Sequence, residues 1–256
     1  MVPDSVRVVS YNIHKGIGGR DRRYRFERIA AVIQHLEPDM VCLQEVDHNV
    51  RRSRFDHQPN LLAERLNTAE LFYQHTVQLK MGGYGNLILS GWPLRSKHQI
   101  SLRMKTKKPR GAQVVVIDTP QGALHLVNWH LGLAEAERRW QVRHLLSHSL
   151  FQEGRELPTL IIGDYNDWRN QLSHHSFAEH GFEQITSPPS RFRSFPAYLP
   201  LGSLDKAFYR GGLTIHRAFI AHSKLARQAS DHLPLVVDFE INGSNGNCNG
   251  NGATGA

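Results

Sequence analysis

The sequence predicts an α+β fold in which two β-sheets pack face to face and helices cover the outer faces. Three observations lead there. Short apolar runs outnumber helical patterns and are not interleaved with helices as in a doubly wound parallel sheet. Most runs stop at polar residues: Ser10-Tyr11-Asn12, Gln44-Glu45-Val46-Asp47, Gly85-Asn86, Asn128-Trp129-His130-Leu131, Gly163-Asp164-Tyr165-Asn166, Leu204-Asp205 and Ser230-Asp231-His232. The chain has 256 residues, 40% of them hydrophobic, enough for one substantial core.

Residues 6–11 read as the first strand. Phe26, Ile29, Val32, Ile33 and Leu36 recur at helical spacing and predict an amphipathic helix over 24–36, which Pro38 helps to end. Residues 40–46 are a second strand, 59–67 a short helix and 70–79 a third strand. Leu87-Ile88-Leu89, residues 97–102, Val114 to Ile117 and Leu124 to Trp129 are further strands. Turn residues such as Gly91-Trp92-Pro93 and Pro120-Gln121-Gly122 separate them. A longer helix is expected over 134–152, with Val142, Leu145, Leu146, Ser149 and Leu150 on its inner stripe. Thr159 to Ile162 is a strand, 169–180 is expected to be helical, and strands near 205–209, 213–220 and 233–240 finish the fold. No break in composition marks a linker before residue 240, so residues 1–241 read as one domain. The Asn/Gly-rich residues 242–256 cannot bury apolar area and are expected to be disordered.

The formal net charge of +8 favours acidic partners, such as nucleic acid, phospholipid or other phosphoesters. Basic runs at Arg20-Asp21-Arg22-Arg23, Arg51-Arg52-Ser53-Arg54, Lys105-Thr106-Lys107-Lys108-Pro109-Arg110 and Arg191-Phe192-Arg193 fall in loops beside the polar clusters, where they can form a rim that attracts a polyanion. Two cysteines cannot build a disulfide framework, and Cys42 lies in an apolar run, so a reducing compartment is expected. No apolar leader opens the chain and no run is long enough to span a bilayer; the expectation is a soluble, cytoplasmic protein.

The polar clusters carry the chemistry. Glu45 ends an otherwise apolar strand, where a carboxylate is costly to bury unless paired or bound to a cation. One glutamate with a few Asp and Asn oxygens suits Mg²⁺ or Mn²⁺. Asp164 and Asn166 are two apart in an extended segment, so they face one side. The aspartate can activate a water while the asparagine donates to a phosphate oxygen. Asn128 and His130 show the same spacing. A His–Asp pair drawn from His130 or His232 and Asp205 or Asp231 can hold an imidazolium beside a phosphate; spacing does not say which pair. Other motifs are set aside. Gly16-Ile17-Gly18-Gly19 lacks the last glycine of a dinucleotide fingerprint and reads as a flexible loop. His144 and His148 share a helix face, but Leu145 stands where a metalloprotease needs glutamate.

The ordered set of clusters, over residues 6–240, resembles the endonuclease/exonuclease/phosphatase superfamily that includes deoxyribonuclease I-like enzymes. "SYNIHKG" and "LQEVD" look closest to a bacterial branch of it. The resemblance implies a four-layer α-β-β-α sandwich with two central sheets. It implies Asn12, Glu45 and Asp231 as metal-site residues, Asp164 as the residue that positions the attacking water, and Asn166 as its phosphate-binding partner. His232 is implied beside the scissile phosphate, oriented by Asp205, with His130 as a second histidine. Asn86, Asn128, Asn166 and Arg110 are the candidates for holding substrate. Two departures matter. Met81-Gly82-Gly83-Tyr84-Gly85 carries no glutamate of the kind that supports the second histidine in deoxyribonuclease I-like members. Ser203-Leu204-Asp205-Lys206 replaces the motif of inositol polyphosphate phosphatases.

The function expected is a divalent-metal-dependent phosphodiester hydrolase acting on nucleic acid. A phospholipid, sphingolipid or small-molecule diester is the alternative substrate. Trp92-Pro93 or Phe195-Pro196-Ala197-Tyr198-Leu199 would then meet the bilayer. A catalytically inactive binding module on the same fold is the alternative of another class.

Overall fold

A computed structural model describes residues 5–242, apart from the side chains of His174 and His175. Two six-stranded mixed sheets form the body. The first runs in the order β11 (Leu213–Ile220), β12 (Leu235–Ile241), β1 (Val6–Asn12), β2 (Met40–His48), β4 (Gly83–Ser90), β3 (Glu70–Gln78). The second runs β5 (Leu94–Ser101), β6 (Gly111–Thr119), β7 (Gly122–His130), β8 (Thr159–Asp164), β10 (Asp205–Arg210), β9 (Glu183–Gln184).

Two neighbouring pairs, β1–β2 and β7–β8, are parallel; the others are antiparallel. A parallel pair cannot be closed by a hairpin and needs a crossover. The chain supplies one in each case. α1 (Phe26–Leu36) links β1 to β2; α3 (Glu135–Ser147) and α4 (Ser149–Gln152) link β7 to β8. α2 (Gln58–Leu66) packs beside α1 over β2.

The core follows from strand alternation. In β7, Leu124 and Leu126 face the space between the sheets, whereas Val127 and Trp129 face outward into a second cluster with Val142, Leu145 and Leu146 of α3. In β8, Leu160 and Ile162 point inward and Ile161 outward. The α-β-β-α sandwich expected from the resemblance is the architecture found. Among the described residues no helix is long and apolar enough to cross a membrane.

Two expected helices are corrected. The helix over 134–152 is broken at His148, whose backbone is extended and whose Nδ1 accepts from the Leu150 amide at 3.2 Å, starting α4 afresh. Ser149 is consequently exposed and leaves the inner stripe. Residues 169–180 form a π turn, Ser173–Phe177, and a 3-10 turn, Ala178–His180, not an α-helix. The Asp167 carboxylate takes the Leu172 amide, and Phe177 stacks on Phe208 at 4.1 Å, so side chains fix this segment instead of a regular ladder. The disorder expected for residues 242–256 lies, past Asn242, outside the described residues.

Candidate active site

The same alternation that fills the core delivers the polar residues to one place. Leu124, Leu126 and His130 share the inward face of β7; Leu160, Ile162 and Asp164 share that of β8. In register, His130 pairs with Asp164, and Asp164 with Asp205 at the start of β10. Three candidate residues thus stand side by side across the end of the second sheet. Facing them, Asn12 ends β1 beside Gln44 of β2. The loop before β12 brings Ser230, Asp231 and His232 to the same end, where the Ser230 hydroxyl donates to the Asn12 carbonyl at 2.7 Å.

Asp164 is the hub. Its Oδ2 accepts from Asn12 Nδ2 at 3.0 Å and lies 3.4 Å from His130 Nε2 and 3.7 Å from His232 Nε2. Its Oδ1 accepts the Asn166 amide at 3.0 Å. Burial lifts its carboxyl to about 6, against the pull of His232. His232 is also buried, which opposes charge, but Asp205 and Asp164 outweigh burial and raise the imidazole to about 10. Its Nδ1–H donates to Asp205 Oδ2 at 2.8 Å, so the sequence ambiguity resolves to His232–Asp205. His130 goes the other way. Burial, then Arg110 and His232, hold it well below the ordinary histidine value, and it stays neutral. Two histidines at one carboxylate therefore carry different charge, the condition for separate acid–base roles.

Glu45 approaches from the opposite side. A bulge between Leu43 and Val46 interrupts the β2–β4 register, and Glu45 adopts φ 57°. Burial works to raise its carboxyl, but Lys15 outweighs it and holds Glu45 below the usual carboxylate range. The Lys15 ammonium makes an ion pair with Glu45 Oε2. Lys15 sits in a 3-10 turn, His14–Gly16, pinned by Gln58 Nε2 donating to its carbonyl at 2.8 Å. The segment expected to be a flexible loop thus opens with a fixed turn.

Arg110, just before β6, is 6% exposed, and its Nε has no partner among the described residues. It lines a cavity with Glu45, Tyr84, Asn86 and His130. Lys15, Arg52 and Lys108 each stand within 5.1–5.4 Å of the Tyr84 ring centre. One wall of the cleft is therefore basic, and a buried guanidinium without an anion is set to receive one.

Not every candidate joins the site. Asn128 is corrected. It is fully buried between the sheets; its Nδ2 donates to Leu43 O, Leu87 O and Gln113 Oε1, and its Oδ1 accepts from Gln44 Nε2. No donor is left for substrate. Asn86 borders the cavity, but its Nδ2 donates to Gly111 O at 2.9 Å and to Gln74 Oε1 at 3.3 Å, a tie between sheets. Asn166 turns its Nδ2 to Leu131 O at 2.9 Å. Asp231 contacts Ser230 and His14, the latter at 3.8 Å, and makes no contact with Glu45 among the described residues. Lys15, Tyr84 and Gln44 were given no role in the sequence. The only signal for Lys15 was its place three residues after Asn12.

Among the described residues no group of three or more His, Cys, Asp or Glu side chains is arranged to hold a metal ion. A hard cation does not require one. Mg²⁺ is often held by one or two carboxylates and keeps several waters. Glu45, already holding a cationic ammonium, fits that description.

Two packed sheets thus gather carboxylates, imidazoles and a guanidinium whose Nε has no partner among the described residues at one end, the arrangement of a site for an anionic group. The chain belongs to the Endonuclease/Exonuclease/phosphatase family, whose pattern matches residues 9–232. It is similar to the uncharacterized protein YbhP of Escherichia coli strain K12, 28% identical over 248 residues that cover 93% of this chain and 97% of YbhP. In fold it is similar to an endonuclease/exonuclease/phosphatase from Beutenbergia cavernae, with a TM-score of 0.81 at 23% identity, over 94% of this chain and 72% of that one. A mannosyl-6-phosphatase of Bacteroides thetaiotaomicron gives 0.73 at 19% identity, over 93% and 100%.

Proposed function

We propose that this chain is a divalent-metal-dependent phosphodiester hydrolase. The observation that supports this best is the Asp164 carboxylate, contacted by Asn12, His130 and His232 in a cleft that also holds the unpaired Arg110. Glu45 would hold Mg²⁺ or Mn²⁺, with Asn12, whose Oδ1 accepts the His14 amide and whose Nδ2 donates to Asp164, as the further candidate; when bound, the ion would supply Lewis-acid polarisation of a phosphate oxygen. Asp164, with its raised pKa, accepts a proton from the attacking water near neutral pH. His232, kept protonated by Asp205, places positive charge against the oxygens of the phosphate. Arg110 binds a further oxygen, and neutral His130 orients the water or substrate beside Asp164.

Nucleic acid is the substrate that net charge favours, and Lys15, Arg52, Lys108 and Arg110 would take its phosphates. A lipid diester is a second reading. It is favoured by large apolar side chains exposed on loops next to the site, Trp168, Tyr198, Leu199 and Leu201. The test is a hydrolysis panel in Mg²⁺ and Mn²⁺ with plasmid DNA, single-stranded DNA, RNA, phosphoinositides, sphingomyelin and bis(p-nitrophenyl) phosphate. EDTA abolishes turnover, and Glu45→Ala and His232→Ala each lose at least ~100-fold, the scale for deleting a charge-stabilising group. Full activity in both variants refutes the assignment.

A further inference from the structure

The loop that enters β10 ends in a rigid apolar tip. Tyr198, Leu199 and Leu201 are 54%, 58% and 61% exposed. The backbone beneath them is tied, with the Leu199 amide donating to Pro196 O at 3.0 Å and the Leu201 amide to Phe195 O at 2.9 Å. Trp168, 58% exposed, stands against Gly202 and meets Phe195 edge-on at 5.8 Å. Phe195 in turn packs on the His232 ring at 4.8 Å, and the Ala197 amide donates to Asp231 O at 2.7 Å. The stem of the tip is thus built onto the catalytic histidine. A fixed group of large exposed apolar side chains at the mouth of a site marks an interaction surface.

We propose that this tip docks the enzyme on an anionic phospholipid bilayer and presents a lipid phosphodiester to the cleft; this rests on the hydrolase reading above. Three observations choose that occupant. Leu199, Pro200 and Leu201 put aliphatic side chains at the tip beside the aromatic Trp168 and Tyr198, and aliphatic groups gain from a hydrocarbon phase while offering a nucleobase no face. Residues 188–204 contain Arg191 and Arg193 and no acidic residue, and Arg169 follows Trp168. These three arginines are exposed and make no ion pair among the described residues, which complements an acidic headgroup layer. The tip also connects by contact to the basic wall, from Phe195 on His232 through Asp164, 3.7 Å away, to His130, which lines a cavity with Arg110, an order that suits an amphiphile with an anionic head. Trp92, the other sequence candidate, is half-buried against the core, just after the end of β4 that pairs with the start of β2, away from the site.

The test is flotation of the full chain, in EDTA, with vesicles of phosphatidylcholine alone or with one third phosphatidylglycerol. The wild type partitions onto the anionic vesicles at least ~10-fold better than onto the neutral ones. Leu199→Asp/Leu201→Asp loses at least ~10-fold of that partition, the scale of one leucine side chain withheld from apolar contact, and keeps its turnover of bis(p-nitrophenyl) phosphate. In the unaltered protein, brominated acyl chains quench a tryptophan signal that Trp168→Phe removes, so the proposal does not hang on one variant folding. It is overturned if the wild type stays off anionic vesicles, if the double variant floats like wild type, or if single-stranded DNA and not vesicles perturbs Trp168. Partition is read without turnover, so its failure is distinct from a failure of the hydrolytic reading, which the soluble diester reports.

Discussion

Glu45, Asn166, His14 and Lys15 all adopt positive φ, between 45° and 61°, a region that non-glycine residues seldom occupy. Such strain gathers where function over-determines the backbone. At Glu45 the bulge re-aims the carboxylate into the cleft while Gln44 keeps its inward tie to Asn128. The Lys15 ammonium then competes for the same oxygens as a cation. Lys15→Met is expected to bind Mn²⁺ about 10-fold more tightly, since one close positive charge is removed; calorimetric titration reads it, and unchanged or weaker affinity contradicts it. His232 gives a pH signature. Its folded pKa is raised, so the stability it contributes is complete below the unfolded value of about 6.5 and is lost as pH rises through about 10. Urea denaturation from pH 7 to 10.5 is expected to show that decline, and His232→Asn to flatten it. Residue types were legible in the sequence at Glu45, Asp164 and His232. The contact of Lys15 was not, because it joins segments far apart in the chain, and the partner of His232 was left open by spacing and given only by the resemblance.

At the scale of elements, the strands place the chemistry and the buried carboxamides hold the strands in line. Asn128 joins β7 to β2, β4 and β6 through four hydrogen bonds. Its neighbour Leu131 and its fellow His130 serve the site; Asn128 serves the packing beneath it. Asn128→Leu strands several buried polar groups and is expected to cost about 3 kcal/mol. A urea midpoint unchanged from wild type would disprove this. The spacing Asn128-x-His130 was legible as a shared face, but a face running from core to cleft does not announce where one becomes the other. The expected helix over 134–152 failed for a related reason. Its apolar stripe is continuous in the sequence, yet His148 caps a new turn that only the packing of Phe151 in the core makes worthwhile.

At the whole-molecule scale, the basic wall at Arg110 and the apolar tip at His232 are joined through His130 and Asp164. The four cations at Tyr84 and Arg110 lie close together, so their fields add at the site. With a polyanionic or vesicle substrate, kcat/KM is expected to fall several-fold between about 50 and 300 mM NaCl as screening sets in. A small monoanionic diester should change far less. Equal salt dependence for both would show that the wall does not steer.

The sequence by itself determined most of the strands, the helix that follows the first strand, and which side chains stand at strand ends. Period-two alternation is a local property, and residues 6–240 carry it throughout. The pairing of His232 with Asp205 was implied by the resemblance and left open by spacing; only the tertiary structure decided that Asn128 is a tie between sheets, that Lys15 meets Glu45, and that the 195–201 tip stands beside His232. Register between sheets and the side on which a loop emerges are set by packing across the whole fold, and no local pattern encodes them.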